Sequence, residues 1–432
     1  MRLGTLRQNR LRETFGRWPL RVRLAAAGAV IVAAVVAVVL VLRANALRGL
    51  HDIGDPFDVA AFSKVEVPDE RNAFVEYSQA ARMDTRLSGG QKVYDQLDAA
   101  LQGDWSKVPE PIRAWLEANR PALAVWRQGT EKPDALYHTP AEATVETLLP
   151  VTQDVRMFAQ LALLEGSRLE AEGDMRGAWG WYRAALRSSR HVTRHGFLIE
   201  RLIGASIHRM VAERLLRWGA DPRVDAPLLR EALGQVVAID AMTPPNSYAL
   251  KLEYLVLSRV LDDPDLPSKM RMLGVRRQRS PIEGWAPWLA RGEERSRALA
   301  RNEPERSKRV LKLIVANWLA YCDIHKERSP KVVDETLLLF EPDSSAPPAA
   351  RALPPAEVVR WYESTIYARA MFDDSSWRKN SQASIDRERT LQAELVRFLT
   401  DQLDRRNRAS QAAPDRSAPV GPRPERLPSV GK

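Results

Sequence analysis

Cysteine is nearly absent from this 432-residue chain: Cys322 stands alone, so no intramolecular disulfide forms and no cysteine-based metal site can be built. No G-x-x-x-x-G-K-[ST] loop is present, which excludes phosphate-loop nucleotide chemistry. No G-x-S-x-G turn is present either, and the near-miss Gly204-Ala205-Ser206-Ile207-His208 lacks the second glycine. Strand-like alternation of period two is scarce, and Lys331 to Phe340 is the one stretch that would accommodate a strand. A basic face is missing too, although the formal net charge is +10. Residues 1–42 contribute +6 and residues 405–432 contribute +5, which leaves −1 for residues 43–404. Charge carried by two tails is not the clustered basic surface that nucleic acid requires, so no nucleic-acid partner is expected.

One long hydrophobic run is present. Leu24 to Leu42 is 19 residues of valine, alanine and leucine with Ile31 and Gly28, and no polar side chain. At about 1.5 Å per residue it spans roughly 28 Å, close to the ~30 Å hydrocarbon core of a bilayer. Seven arginines precede it, while only Arg43 and Arg48 follow closely. Positive charge is retained in the cytoplasm, so residues 1–23 read as a basic cytoplasmic tail and the long body as translocated. Ala44-Asn45-Ala46 offers a signal-peptidase pattern, but 19 apolar residues exceed the 7–15 of a cleaved signal. The expected partner of residues 24–42 is therefore the lipid bilayer, as an uncleaved anchor.

The rest reads as all-α: stacked antiparallel helices with no substantial sheet. Residues 43–140 carry an irregular linker at 47–67 and the first helices, one opened by Pro68-Asp69-Glu70-Arg71-Asn72 and one restarted at Pro121. Residues 141–262 hold a helical-hairpin core. Val155, Phe158, Ala162, Gly166 and Leu169 form one helical stripe, Gly173-Asp174 ends it, and Ala178, Tyr182, Ala185 and Val192 form the next. Further helices follow with Ile199, Ile203, Ile207, Val211, Leu215 and Trp218, with Leu228 to Val237, and from about Ser247 to Leu261. Residues 263–303 read as a charged connector, 304–404 as C-terminal helices ending in one from about Ala383 to Asp404, and 405–432 as a disordered Pro/Arg tail.

The unit at about 155–192 resembles a single tetratricopeptide repeat. Gly166, Ala178, Tyr182 and Ala185 fall where that motif packs its two helices, whereas Glu165 replaces its usual leucine and Arg190 its closing proline. The resemblance implies a hairpin whose neighbours must stack on it, and a surface of the kind that binds proteins. The overall layout also resembles uncharacterised signal-anchored helical proteins of large bacterial genomes, through Val67 to Ala73, Ala118 to Leu123 and Val315 to Asp323. That implies the cytoplasmic membrane of a bacterium, with the C-terminal domain extracytoplasmic, and assigns no activity.

Several short motifs suggest chemistry and fail on context. Leu87-Ser88-Gly89-Gly90-Gln91 spells the signature pentapeptide of ABC-transporter ATPases, but without a phosphate loop it reads as a turn entering a helix. Ser376-Trp377-Arg378-Lys379 matches S-x-x-K without the partner motifs of penicillin-recognising enzymes. His191 and His195 sit at i and i+4, a metal-ligand spacing with Glu200 or His208 as third ligand. Gly196 should break the helix between them, so a solvated helix end is the expectation. Glu165 is expected to pair with Arg168, and Cys322 to be a buried structural thiol. Arg276-Arg277-Gln278-Arg279, Trp285 and Trp288 read as a solvated loop with packed aromatics. No cofactor is expected. The function expected is a membrane-anchored extracytoplasmic scaffold with a protein partner; the alternative is a metal-assisted or wall-directed hydrolase using His191, His195 and a carboxylate.

Overall fold

A computed structural model describes residues 20–144, 146, 150–266, 269–270, 301–324, 330–372 and 376–412. Arg276 to Arg279, Trp285, Trp288 and the chain beyond 412 lie outside them, as does His325.

Helix α1 (Leu20–Ala46) contains the apolar run and is long and apolar enough to cross a membrane. None of its side chains from Leu24 to Leu42 is buried. The chain then forms α2 (Val59–Phe62), α3 (Ala73–Met83), α4 (Gly90–Gln102), α5 (Glu110–Ala118) and α6 (Arg120–Thr130). Next come α7 (Pro150–Glu172), α8 (Met175–Arg194), α9 (Leu198–Ala220), α10 (Ala226–Asp240) and α11 (Asn246–Asp262). After α12 (Glu303–Tyr321), an antiparallel pair β1 (Val332–Asp334) and β2 (Leu339–Phe340) precedes α13 (Pro355–Ser364), α14 (Ile366–Phe372) and α15 (Ser376–Ala412). The fold is helical, and the one stretch that could accommodate a strand, 331–340, forms a two-stranded hairpin.

Two hydrophobic cores organise these helices. The first gathers α3–α10 and the latter part of α15 around Trp126, Phe158, Tyr182, Leu215 and Trp218. Helix α7 is buried nearly all round, as a central helix must be. Its antiparallel neighbour α8 approaches closely because Gly166 has no side chain: a Cβ there would stand 2.2 Å from Tyr182 Cε1. Ala178 and Ala185 are fully buried beside that contact. Between the helices Gly173 takes φ +90°, and the Asp174 carboxylate accepts from Gly177 N at 2.7 Å.

The second core is built by α11–α14 and the β hairpin around Val310, Leu311, Ile314 and Trp318. The segment after α1 joins it. Leu50 is fully buried, and Ile53, Phe57, Val59 and Phe62 pack on the same cluster. Lys312 reaches Asp52 at 2.8 Å, and the Tyr254 hydroxyl donates to Asp55 at 2.6 Å. The linker expected at 47–67 is irregular apart from the short helix α2, and five apolar side chains give it a core to enter.

Helix α15 crosses from one core to the other. Its inward stripe is Ser381, Ile385, Glu388, Gln392, Leu395 and Leu399, apolar at the C-terminal end and polar in the middle. The middle fits what it meets. Glu388 is ion-paired to Arg190 of α8 and, at 2.7 Å, to Arg201 of α9. Gln392 Oε1 lies 2.8 Å from His208 Nε2. All five residues are buried, and Arg190 turns its other arm to Asp240 at 3.0 Å. Burial opposes the ionised Glu388, yet the two guanidiniums outweigh it and hold its pKa below the ordinary carboxylate value. The helix also outruns its expected span of 383–404. Arg406 donates to the carbonyls of Gly219 and Asp221, which ties the last turns to the end of α9.

Two outcomes follow for stability. Gly166→Ala gains about 1 kcal/mol of helix propensity but drives Tyr182 from its seat, so denaturant melts should show a net loss of roughly 1–3 kcal/mol. Glu388→Gln should cost about 3–5 kcal/mol by leaving two buried guanidiniums short of their counter-charge. Replacing Arg190, Arg201 and Glu388 together by Met, Leu and Leu should cost less than that single change.

Candidate functional site

Several buried titratable side chains, among them His191, Glu200 and Arg201, lie near the place where the two cores meet. The lock on this region starts at Asn72. Its carboxamide caps α3, accepting from Phe74 N at 3.1 Å, and also accepts from Leu136 N and donates to Leu136 O. Together with Ala73 N to Asp134 O, these bonds fasten the loop after α6 against the start of α3. That fastening presents Asp134 to the end of α8. There Asp134 Oδ1 lies 3.0 Å from His195 Nε2 and 2.9 Å from Arg194 Nε.

His191, one turn earlier, is fully buried and shares a 2.8 Å hydrogen bond between its Nδ1 and the Tyr77 hydroxyl. Burial, reinforced by Arg187 and Arg194, lowers its pKa to about 3, so the ring is neutral. Burial lowers His195 as well, although Asp134 works against it. The solvated helix end expected for this pair is therefore not what forms. Loop residues 131–137 and α11 cover it, with Tyr248 edge-on to His195 at a ring distance of 4.9 Å.

A cavity opens between these groups, lined by Phe74, Tyr137, His138, His191, His195 and Glu200 among others. It leaves about 20 Å³ for water, room for one or two molecules and far less than a substrate needs. Glu200 accepts from Phe197 N at 2.7 Å and Thr152 Oγ1 at 2.9 Å, so it serves the start of α9. Burial raises its pKa. His208, the other third-ligand candidate, belongs with Gln392 and Glu388; burial lowers its pKa to about 4. The sequence-predicted ligands thus divide between two places, and among the described residues no group of three or more His, Cys, Asp or Glu is arranged to hold a metal.

The remaining sequence candidates serve the fold. Glu165 is buried between Arg168 at 2.8 Å and Arg120 at 3.4 Å. Cys322 is buried at the end of α12, its thiol 3.8 Å from the Leu319 carbonyl. The Leu87 to Gln91 pentapeptide is the turn that opens α4. A second small cavity, with about 10 Å³ for water, lies along the same seam between Arg201, Asn246, Cys322 and Ile385. Sequence reasoning missed Asp134, Tyr77 and Arg201; only the capping pattern at Asn72 hinted that the start of α3 held anything in place.

The buried histidines set a pH dependence. His191 and His208 have folded pKa values of about 3 and 4, below the ~6.5 of an unfolded histidine. The unfolded chain therefore takes up protons first, and folding stability should fall as pH drops from about 6.5 toward 4. Melts across that range check it: an unchanged midpoint refutes the assignment, and His191→Leu should flatten part of the slope.

No family model, curated protein or solved structure matches this chain.

Proposed function

We propose that the chain is a membrane-tethered helical scaffold that presents its body to a protein partner on the extracytoplasmic side of a bacterial cytoplasmic membrane. One observation carries this reading: an exposed helix of membrane-spanning length runs, within four residues of its end, into a fully buried Leu50. The anchor and the body are one piece. Anchoring follows from the apolar run, orientation from the arginines on its N-terminal side.

Protein binding is favoured over catalysis by how the polar groups are spent. His191, His195 and Glu200 line one space of water size and Arg201 another, while Asp134 and Glu388 are ion-paired within the fold. The edge where α8 meets α6 has interface chemistry instead. Arg127 stacks over Trp181 at 4.3 Å, and Arg183 and Arg187 line the same edge beside Glu131. Tryptophan and arginine are the residues that protein interfaces concentrate.

Topology is checked by fusions placed after Ala412. An alkaline phosphatase fusion should be active and a green fluorescent fusion dark; the opposite pair overturns the orientation. For the scaffold role, a photo-crosslinker at Trp181 or Arg183 in native membranes should give a discrete adduct. The adduct from position 181 should weaken several-fold with Arg183→Glu. A purified body that turns over a defined substrate, with no adduct from either position, would overturn the reading.

A further inference from the structure

The join between α1 and the body decides which face of the body a bilayer would meet. Helix α1 continues through Ala46, four residues past Leu42. At about 1.5 Å per residue that is roughly 6 Å beyond the apolar run, about the depth of one headgroup layer. The following turn is hydrogen-bonded: Arg48 N donates to Asn45 O at 3.1 Å and Leu50 N to Leu47 O at 3.0 Å. Leu50 is then in the second core. No stalk separates helix and body.

Two further contacts brace the join. Arg43, the first charged residue past the apolar run, donates its Nη2 to Asn302 Oδ1 at 2.7 Å. Asn302 stands at the start of α12 in a left-handed conformation, φ 52°, which apart from Leu338 no other non-glycine described residue adopts. Trp361 of α13 lies against Gly49, 3.7 Å from where a Cβ would be, and Arg306 covers its ring at 5.6 Å. These braces bring Arg301 and Trp361, with the adjoining Arg48, to the level at which α1 leaves the hydrocarbon. Arg48 and Arg301 are exposed, and Trp361 is half-buried. Arg360, exposed beside Trp361, is paired loosely with Glu357 at 3.4 Å.

We infer that this face, built from Arg48, Arg301 and Trp361, rests on the phospholipid headgroups of the bilayer that α1 spans. The inference depends on the membrane reading of α1 and adds to it a fixed posture for the body. Guanidiniums present forked donors that match phosphate oxygens. Tryptophan favours the boundary between hydrocarbon and water. A lipid surface is the occupant because the face is continuous with the spanning helix. The body then lies against the membrane with the second core nearest to it.

The test uses the full chain in vesicles of phosphatidylcholine and phosphatidylglycerol. Fluorescent labels go on His51→Cys and Glu363→Cys near the face, and on Asp98→Cys of α4, which packs on the other core. The native Cys322 is buried, so unmodified chain gives the labelling background. Labels at 51 and 363 should be at least fivefold less open than the label at 98 to a water-soluble quencher, and should be quenched by a headgroup-labelled lipid. Arg48→Glu with Arg301→Glu should remove most of that protection while the chain still floats with the vesicles. Flotation with equal quenching at all three positions overturns the headgroup contact alone. Loss of flotation overturns the anchor reading and the contact with it.

Discussion

Glu388, withdrawn from water between Arg190 and Arg201, is the constraint on which the packing of α8, α9 and α15 depends. Each of these charges would be costly to bury alone, and together they are tolerable only in one relative placement of α8, α9 and α15. A slip of α15 by one turn would set Gln392 or Ser384, both uncharged, against the guanidiniums and move Glu388 away from them. Purely apolar packing would tolerate such slips more readily, because hydrophobic attraction has no direction. The ion cluster therefore sets the register of a 37-residue helix that begins near one core and ends in the other.

The same seam holds the histidines. His191 bonds to Tyr77, His195 to Asp134 and His208 to Gln392, so each ring joins elements distant in the chain. Neutral imidazole suits this place: it offers one donor and one acceptor, and carries no charge to desolvate. Leu198 N, donating to Glu253 at 3.2 Å, and Asn246, donating to the Cys322 carbonyl at 2.9 Å, extend the seam into the second core. Polar groups at a junction of two apolar clusters specify how the clusters sit, where contact area alone would leave them free to slide.

Periodicity was a good guide where one side of a helix met one core. Phe158, Ala162, Tyr182, Ala185, Ile207, Val211, Leu215 and Trp218 are buried as their spacing requires. It misled near the ends of helices: Ile199 and Val237 continue their stripes and yet are exposed. In the middle of α15, Glu388 and Gln392 have the polarity of solvent-facing positions, and only the arginines and histidine beneath them account for their burial. The histidine pair misled for a related reason. Spacing places His191 and His195 on one face, but whether that face is wet depends on a loop some 55 residues earlier in the chain.

By itself the sequence determined the helical class, the membrane-length apolar run, the turn at Gly173-Asp174 and the close contact that Gly166 permits. Each of these is a local property, carried by residues within one or two helical turns of one another or by one missing side chain. Only the tertiary structure decided that Leu50 joins the long apolar helix to a core, that His191 is neutral and buried, and that Glu388 holds two arginines. Those outcomes rest on burial and on partners contributed by remote segments, and the free energy of a charge or an imidazole is set by its surroundings rather than by its place in the chain.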